Sequence, residues 1–90
     1  MTMPPVIYLK IAGRVQGVNL RYRAQRRAQQ ENLGGWIQNE PDGTVTCCLQ
    51  GSAAGIDGFI DWLKRNFEIQ SLEKSTAESA EQFNNFIVKC

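Results

Sequence analysis

The chain contains no histidine, and its three cysteines are Cys47, Cys48 and Cys90. Without histidine every Ser-His or Cys-His nucleophile pair is excluded, and a cysteine nucleophile loses its usual base. Cys47 and Cys48 are adjacent, so on a strand they point to opposite faces and cannot share one ion. No metal-ligand spacing is present, no metal site is expected, and the three thiols read as reduced and structural. No apolar run approaches the ~20 residues of a membrane span, so no membrane partner is expected. The start, MTMPPVIYLK, lacks a basic n-region ahead of an apolar segment and a small-residue cleavage site, so a cytoplasmic location is expected. Ninety residues, 42% hydrophobic and 21% charged, fit one globular domain over residues 1–90.

The net charge of +1 hides a strong asymmetry. Residues 1–30 hold Lys10, Arg14, Arg21, Arg23, Arg26 and Arg27 and no acid, a charge of +6. Residues 31–90 carry the other four bases and all nine acids, a charge of −5. The first third is therefore expected to face something anionic. A solvated basic helix face is the plainer explanation for Arg23, Arg26 and Arg27.

Periodicity divides the chain into six elements. VIYLKIA (6–12) alternates, with Ile7, Leu9 and Ile11 on one side and Tyr8 and Lys10 on the other, as a half-buried strand does. A helix is expected over 20–31, with Leu20, Ala24 and Ala28 on one narrow face. Asn32 stands where a left-handed residue ends such a helix. GWIQN (35–39) and TVTCCLQ (44–50) form a hairpin across the Pro-Asp-Gly turn at 40–43. Ser52 is placed to cap a second helix, whose Ile56, Phe59, Ile60, Leu63 and Phe67 follow the 3.6-residue period. Residues 69–82 read only as a weak edge strand and a loose loop, and NFIVK (85–89) reads as the last strand. Trp36 and Trp62 are read as core residues. The order β-α-β-β-α-β points to an α+β, ferredoxin-like sandwich: an antiparallel sheet with two helices on one face. In that arrangement the first two strands run parallel with the third between them. Their C-terminal ends, and hence residues 13–21 and Asn39, share one rim.

The chemistry concentrates in GRVQGVNLR (13–21). Gly13 and Gly17 free the backbone for positive φ and leave no Cβ in the way. A loop of this kind, leading into a helix N-terminus, turns several N–H groups toward one anion. Arg21, in the first helical turn, adds a planar fork suited to two phosphoryl oxygens. Asn39 offers both a donor and an acceptor and is able to orient a water. The loop matches neither GxxxxGK[ST] nor GxGxxG, and its spacing alone fits a tight strand-to-helix connection equally well. Asn39 also suits the start of the turn, and Arg14 either adds positive field at the loop or is simply solvated. Tyr8 and Tyr22 lack the basic-aromatic setting of an RNA-binding sheet, so no nucleic-acid partner is expected.

GRVQGVNLR followed by Ala28, then NLGGWIQN and DGTV, resembles the acylphosphatase family, whose pattern reads approximately GRVQGV-x-F-R, a late helical Ala, G-L-x-G-W-V-x-N and D-G-x-V. The match is close over residues 6–51 and looser over the second helix. The resemblance implies a ferredoxin-like fold and hydrolysis of acyl phosphates to carboxylate and inorganic phosphate, without metal, other cofactor or phosphoenzyme. It implies that Arg21 and the amides of Val15, Gln16, Gly17, Val18, Asn19 and Leu20 hold the phosphoryl group while Asn39 positions the attacking water. The chain departs from the pattern at Leu20 (usually Phe), at Glu31, at Asn32 (often Gly), at Cys47-Cys48 and at Cys90 (usually Tyr). It also lacks the Gly-Pro that commonly follows the second helix. No departure removes a catalytic position. Two other classes fit the same fold: a non-catalytic anion- or nucleic-acid-binding module, and an accessory domain of a larger maturation protein. The joint presence of Arg21 and Asn39 weighs against the first. Met1 and a complete set of elements weigh against the second, and a monomeric, free-standing enzyme is the expectation.

Overall fold

In the computed structural model, which describes residues 3–89, the alternating segment continues two residues further than its pattern. Strand β1 runs Val6–Arg14, with Leu9 and Ile11 fully buried and Tyr8 and Lys10 on the opposite face. Helix α1, Leu20–Gln30, buries Leu20, Ala24 and Ala28 as its four-residue spacing requires. It ends at Asn32 with φ 58°, where the Leu33 N–H donates to the Ala28 carbonyl at 2.9 Å. Strands β2 (Gly34–Asn39) and β3 (Val45–Gln50) form the expected hairpin, its turn held by Asp42, which accepts from both the Thr44 hydroxyl and N–H. Helix α2, Ala53–Asn66, is capped by Ser52, whose hydroxyl accepts from the Gly55 N–H at 3.0 Å. Its Ile56, Phe59, Ile60 and Leu63 are buried, while Phe67 packs at the core's margin. Full burial of a residue such as Leu63 stabilises the fold by about 1.5–3 kcal/mol.

The sheet order is β4-β1-β3-β2-β5, where β4 is Glu68–Ala77 and β5 is Phe86–Lys89. Both helices pack on one face of the sheet, and β3 lies between β1 and β2 as expected. The expected edge strand is present, as a ten-residue strand paired antiparallel with β1, and one expectation needs correction. The strand occupies the edge position that completes the βαββαβ unit. The last segment is then a fifth strand, which pairs parallel with β2 and makes the sheet mixed rather than antiparallel.

Cys47 and Cys48 do point to opposite faces. Cys47 lies in the helix-side core, while Cys48 lies under Tyr8 and Trp36 on the other face; both are buried and free. Cys90 lies outside the described residues. The tryptophans are not core residues: both are half-buried, Trp36 on the open face of the sheet and Trp62 at the border of α1 and α2.

Candidate active site

Residues 15–19 connect β1 to α1 along one end of the sheet. A bulge at Ala12/Gly13 shifts the β1–β4 register, and Gly13 takes φ 135°. A Cβ there would collide with the Glu68 carbonyl, so this bulged position near the end of β1 takes only glycine. Val15 is buried and anchors the loop in the core, with Val18 packed more loosely against it. Gly17 has φ 75° and faces open space. Asn19 takes the left-handed conformation (φ 60°) at the start of α1, and its side chain makes no capping bond.

The consequence lies in the unpaired backbone. Among the described residues, none of the N–H groups of residues 15–20 has an acceptor in the protein. No acid stands in the first turn of α1. A helix N-terminus that lacks both a side-chain cap and an acidic residue leaves its positive end for an external anion.

Arg21 and Asn39 reach this loop from α1 and β2. With Val15, Gly17, Asn19, Leu20 and Tyr22 they line a cleft of about 310 Å³. The Arg21 guanidinium donates from Nη1 to the Lys89 carbonyl at 2.7 Å, which ties it to the end of β5. A guanidinium has five donors, so most of the fork stays available. The Asn39 Oδ1 is buried and has no hydrogen-bond partner. A buried amide oxygen without a partner costs roughly 1–3 kcal/mol, and a bound water or ligand removes that cost.

Gln16 does more than its place in the loop implied. Its side-chain amide donates to the Glu40 carbonyl at 2.8 Å and to the Thr44 carbonyl at 2.9 Å. These bonds fasten the loop to the turn that follows Asn39. The sequence signal was a polar side chain in an otherwise apolar part of the loop, but its partners lie 24 and 28 residues away. Tyr22 was not foreseen as a lining residue. Arg14 lies outside this cleft, in a neighbouring hollow with Arg23 and Glu68. No group of three metal-ligating side chains occurs among the described residues.

A sequence model of the acylphosphatase family matches residues 7–88. An acylphosphatase of Bordetella parapertussis is 44% identical over 59 residues, covering 66% of this chain and 63% of that protein. The chain thus aligns with somewhat less than two thirds of that relative's length. An acylphosphatase of Paraburkholderia xenovorans is 37% identical over 82 residues, 84% of each chain. The crystal structure of acylphosphatase from Bacillus subtilis superimposes with a TM-score of 0.88 at 27% identity, over 96% of this chain and 99% of that one.

Proposed function

This chain belongs to the acylphosphatase family, and on that premise we propose that it hydrolyses acyl phosphates, the mixed anhydrides of a carboxylic acid and phosphoric acid. The observation that carries the reading is the unpartnered, buried Asn39 Oδ1, set on the same cleft as Arg21 and the loop of free N–H groups. A pure anion-binding site has no use for a buried acceptor beside its donors. A hydrolase needs one, because the attacking water must be held by one of its hydrogens.

In this reading the phosphoryl oxygens rest on the amides of Val15, Gln16, Gly17, Val18, Asn19 and Leu20, and the Arg21 fork grips two of them. Asn39 accepts a hydrogen bond from a water and aims its lone pair at phosphorus. The water oxygen bonds to phosphorus, the bond between phosphorus and the acyl oxygen breaks, and its electron pair leaves on the carboxylate. The water's proton passes to a phosphoryl oxygen, giving inorganic phosphate. The transition state is loose and its charge lies on the phosphoryl oxygens, so positioning and charge neutralisation supply most of the acceleration. A carboxylate leaves without help from an acid, which suits a site with no histidine. The protein acts as a cytoplasmic monomer on small molecules, with no nucleic-acid partner, as a single domain.

The test is loss of benzoyl phosphate ultraviolet absorbance with EDTA present, for wild type and Arg21→Lys. Wild-type turnover with a loss of about 10²-fold or more in Arg21→Lys is expected, since a point charge cannot replace the fork. A fully active Arg21→Lys enzyme would remove Arg21 from the mechanism. An inactive wild type whose fold is still protected by phosphate would make the site a binding module.

A further inference from the structure

Strand β5 is four residues long and pairs with a single neighbour, β2, yet its last carbonyl holds the Arg21 guanidinium. That carbonyl, of Lys89, accepts from Arg21 Nη1 at 2.7 Å, so the position of β5 decides where the fork points. A short edge strand has only one ladder to place it and depends on other contacts for the rest. Two such contacts act at its start. The Phe86 ring is buried, with its centroid 6.2 Å from that of Phe59 on α2. The Phe86 carbonyl accepts from the Gln25 side-chain amide at 2.9 Å. The preceding carbonyl, of Asn85, accepts from the Gly35 N–H of β2 at 2.9 Å. Successive carbonyls of an extended chain point to opposite sides, so that of Phe86 faces away from β2 and is free for Gln25.

Gln25 and Arg21 stand four residues apart on one face of α1, about 6 Å along the axis. Their acceptors stand three residues apart on β5, about 10 Å. Helix α1 thus holds the strand at both ends, through Gln25 at Phe86 and through Arg21 at Lys89. The Gln25 bond joins groups 61 residues apart and caps neither a helix nor a turn. Gln25 does not line the cleft of Arg21 and Asn39, so its effect on the chemistry is indirect. Resting on the activity assigned above, we propose that Gln25 is a positioning residue for the reaction: by holding the Phe86 carbonyl it sets the place of β5 against α1, and through the Lys89 carbonyl it aims the Arg21 fork. Without that bond β5 keeps its ladder and its buried ring, but the Lys89 carbonyl drifts from Nη1 and Arg21 samples more rotamers. A fork must meet two phosphoryl oxygens at once, so its grip suffers from such drift in a way that a point charge does not.

The test is a set of variants read by benzoyl phosphate hydrolysis and by the Kd of inorganic phosphate in thermal melts. Gln25→Met keeps the side chain's length and helix preference and removes its donor, whereas Gln25→Lys retains one. Ser52→Ala removes the cap of α2 at the opposite end of the sheet from Asn39, and so controls for lost stability alone. Gln25→Met is expected to lower kcat/KM about three- to tenfold and to weaken phosphate binding about threefold. Gln25→Lys should recover most of both losses. Ser52→Ala should leave both within about twofold of wild type well below the melting range. In an Arg21→Lys background the Gln25→Met step should cost less than about twofold, because the route through the fork is already cut. Wild-type kinetics in Gln25→Met, or losses that add in full in the double variant, would overturn the role of Gln25 while leaving the activity intact. A wild type that hydrolyses no benzoyl phosphate would overturn the activity itself, and this inference with it.

Discussion

Replacing Gln16 with Leu removes a side chain that fastens the loop of residues 15–19 to the β2–β3 turn. Two hydrogen bonds disappear, to the Glu40 and Thr44 carbonyls. Neither carbonyl is orphaned, because the Glu40 N–H still donates to the Thr44 carbonyl at 2.8 Å and the Gly43 N–H to the Glu40 carbonyl at 3.1 Å. The loss is therefore that of two ordinary neutral hydrogen bonds without a buried-group penalty, about 1–2 kcal/mol. For a chain of this size that corresponds to a fall in Tm of roughly 5–15 °C. The catalytic cost should exceed what stability alone implies. Asn39 directly precedes Glu40, so releasing the turn lets its Oδ1 drift against the amide cradle, and a misplacement approaching 1 Å costs on the order of 10²-fold. The assay pairs urea unfolding, followed by Trp36 and Trp62 fluorescence, with benzoyl phosphate kinetics well below the melting range. We expect kcat to fall at least about tenfold while KM, which the proposed mechanism assigns to the amides and Arg21, changes little. A Gln16→Leu protein destabilised by this amount but with kcat within about twofold of wild type would refute the brace.

Asn39→Ala should lower kcat more than it raises KM, because the proposed water contact matters most in the transition state; a pure KM effect would show that Asn39 binds substrate instead. Inorganic phosphate at about 100 times its Kd should stabilise the wild type by about 2.7 kcal/mol in thermal melts, and Arg21→Lys should lose most of that protection. Burial pushes the Cys47 thiol well above its ordinary value of 9.0, so the neutral form is favoured in the fold. The associated stability is fully present below pH 9 and is lost as pH rises, because the unfolded thiol ionises first. Urea titrations should show a decline of about 1.4 kcal/mol per pH unit from this group above pH 9. Cys47→Ala should be less stable at neutral pH but should lack that part of the slope; an unchanged slope would exonerate the thiol.

The parts of the fold that were legible in the sequence are those whose signal is local. Leu9 and Ile11 against Tyr8 and Lys10 set the inner and outer faces of β1, and Leu20, Ala24 and Ala28 set the buried stripe of α1. Asn32 and Ser52 marked helix ends by chemistry that acts within a few residues. Residues 68–77 were obscure because only Ile69, Leu72 and Ala77 of this edge strand are even half-buried. Its order comes from the backbone ladder to β1, which leaves almost no trace in side-chain alternation. Trp36 and Trp62 misled for a related reason. A large ring fits the margin of a core as readily as its interior, and here Trp36 lies under Lys89 and Trp62 under Arg23.

At the site, the residue types and their order along the chain were determined by the sequence alone: the glycines that permit the loop, the arginine in the first turn of α1, and the asparagine at the end of a strand. Their chemistry is intrinsic, since positive φ, a bidentate fork and an amide's two functions belong to those residues wherever they stand. Tertiary structure decided which of these groups meet and what remains free. It brought the Gln16 amide to the turn after Asn39, tied Arg21 to the Lys89 carbonyl, and left the Asn39 Oδ1 without a partner. Periodicity records which face of an element is buried. It does not record which distant carbonyl or ring the other face will meet, because that depends on how the strands order themselves across the sheet.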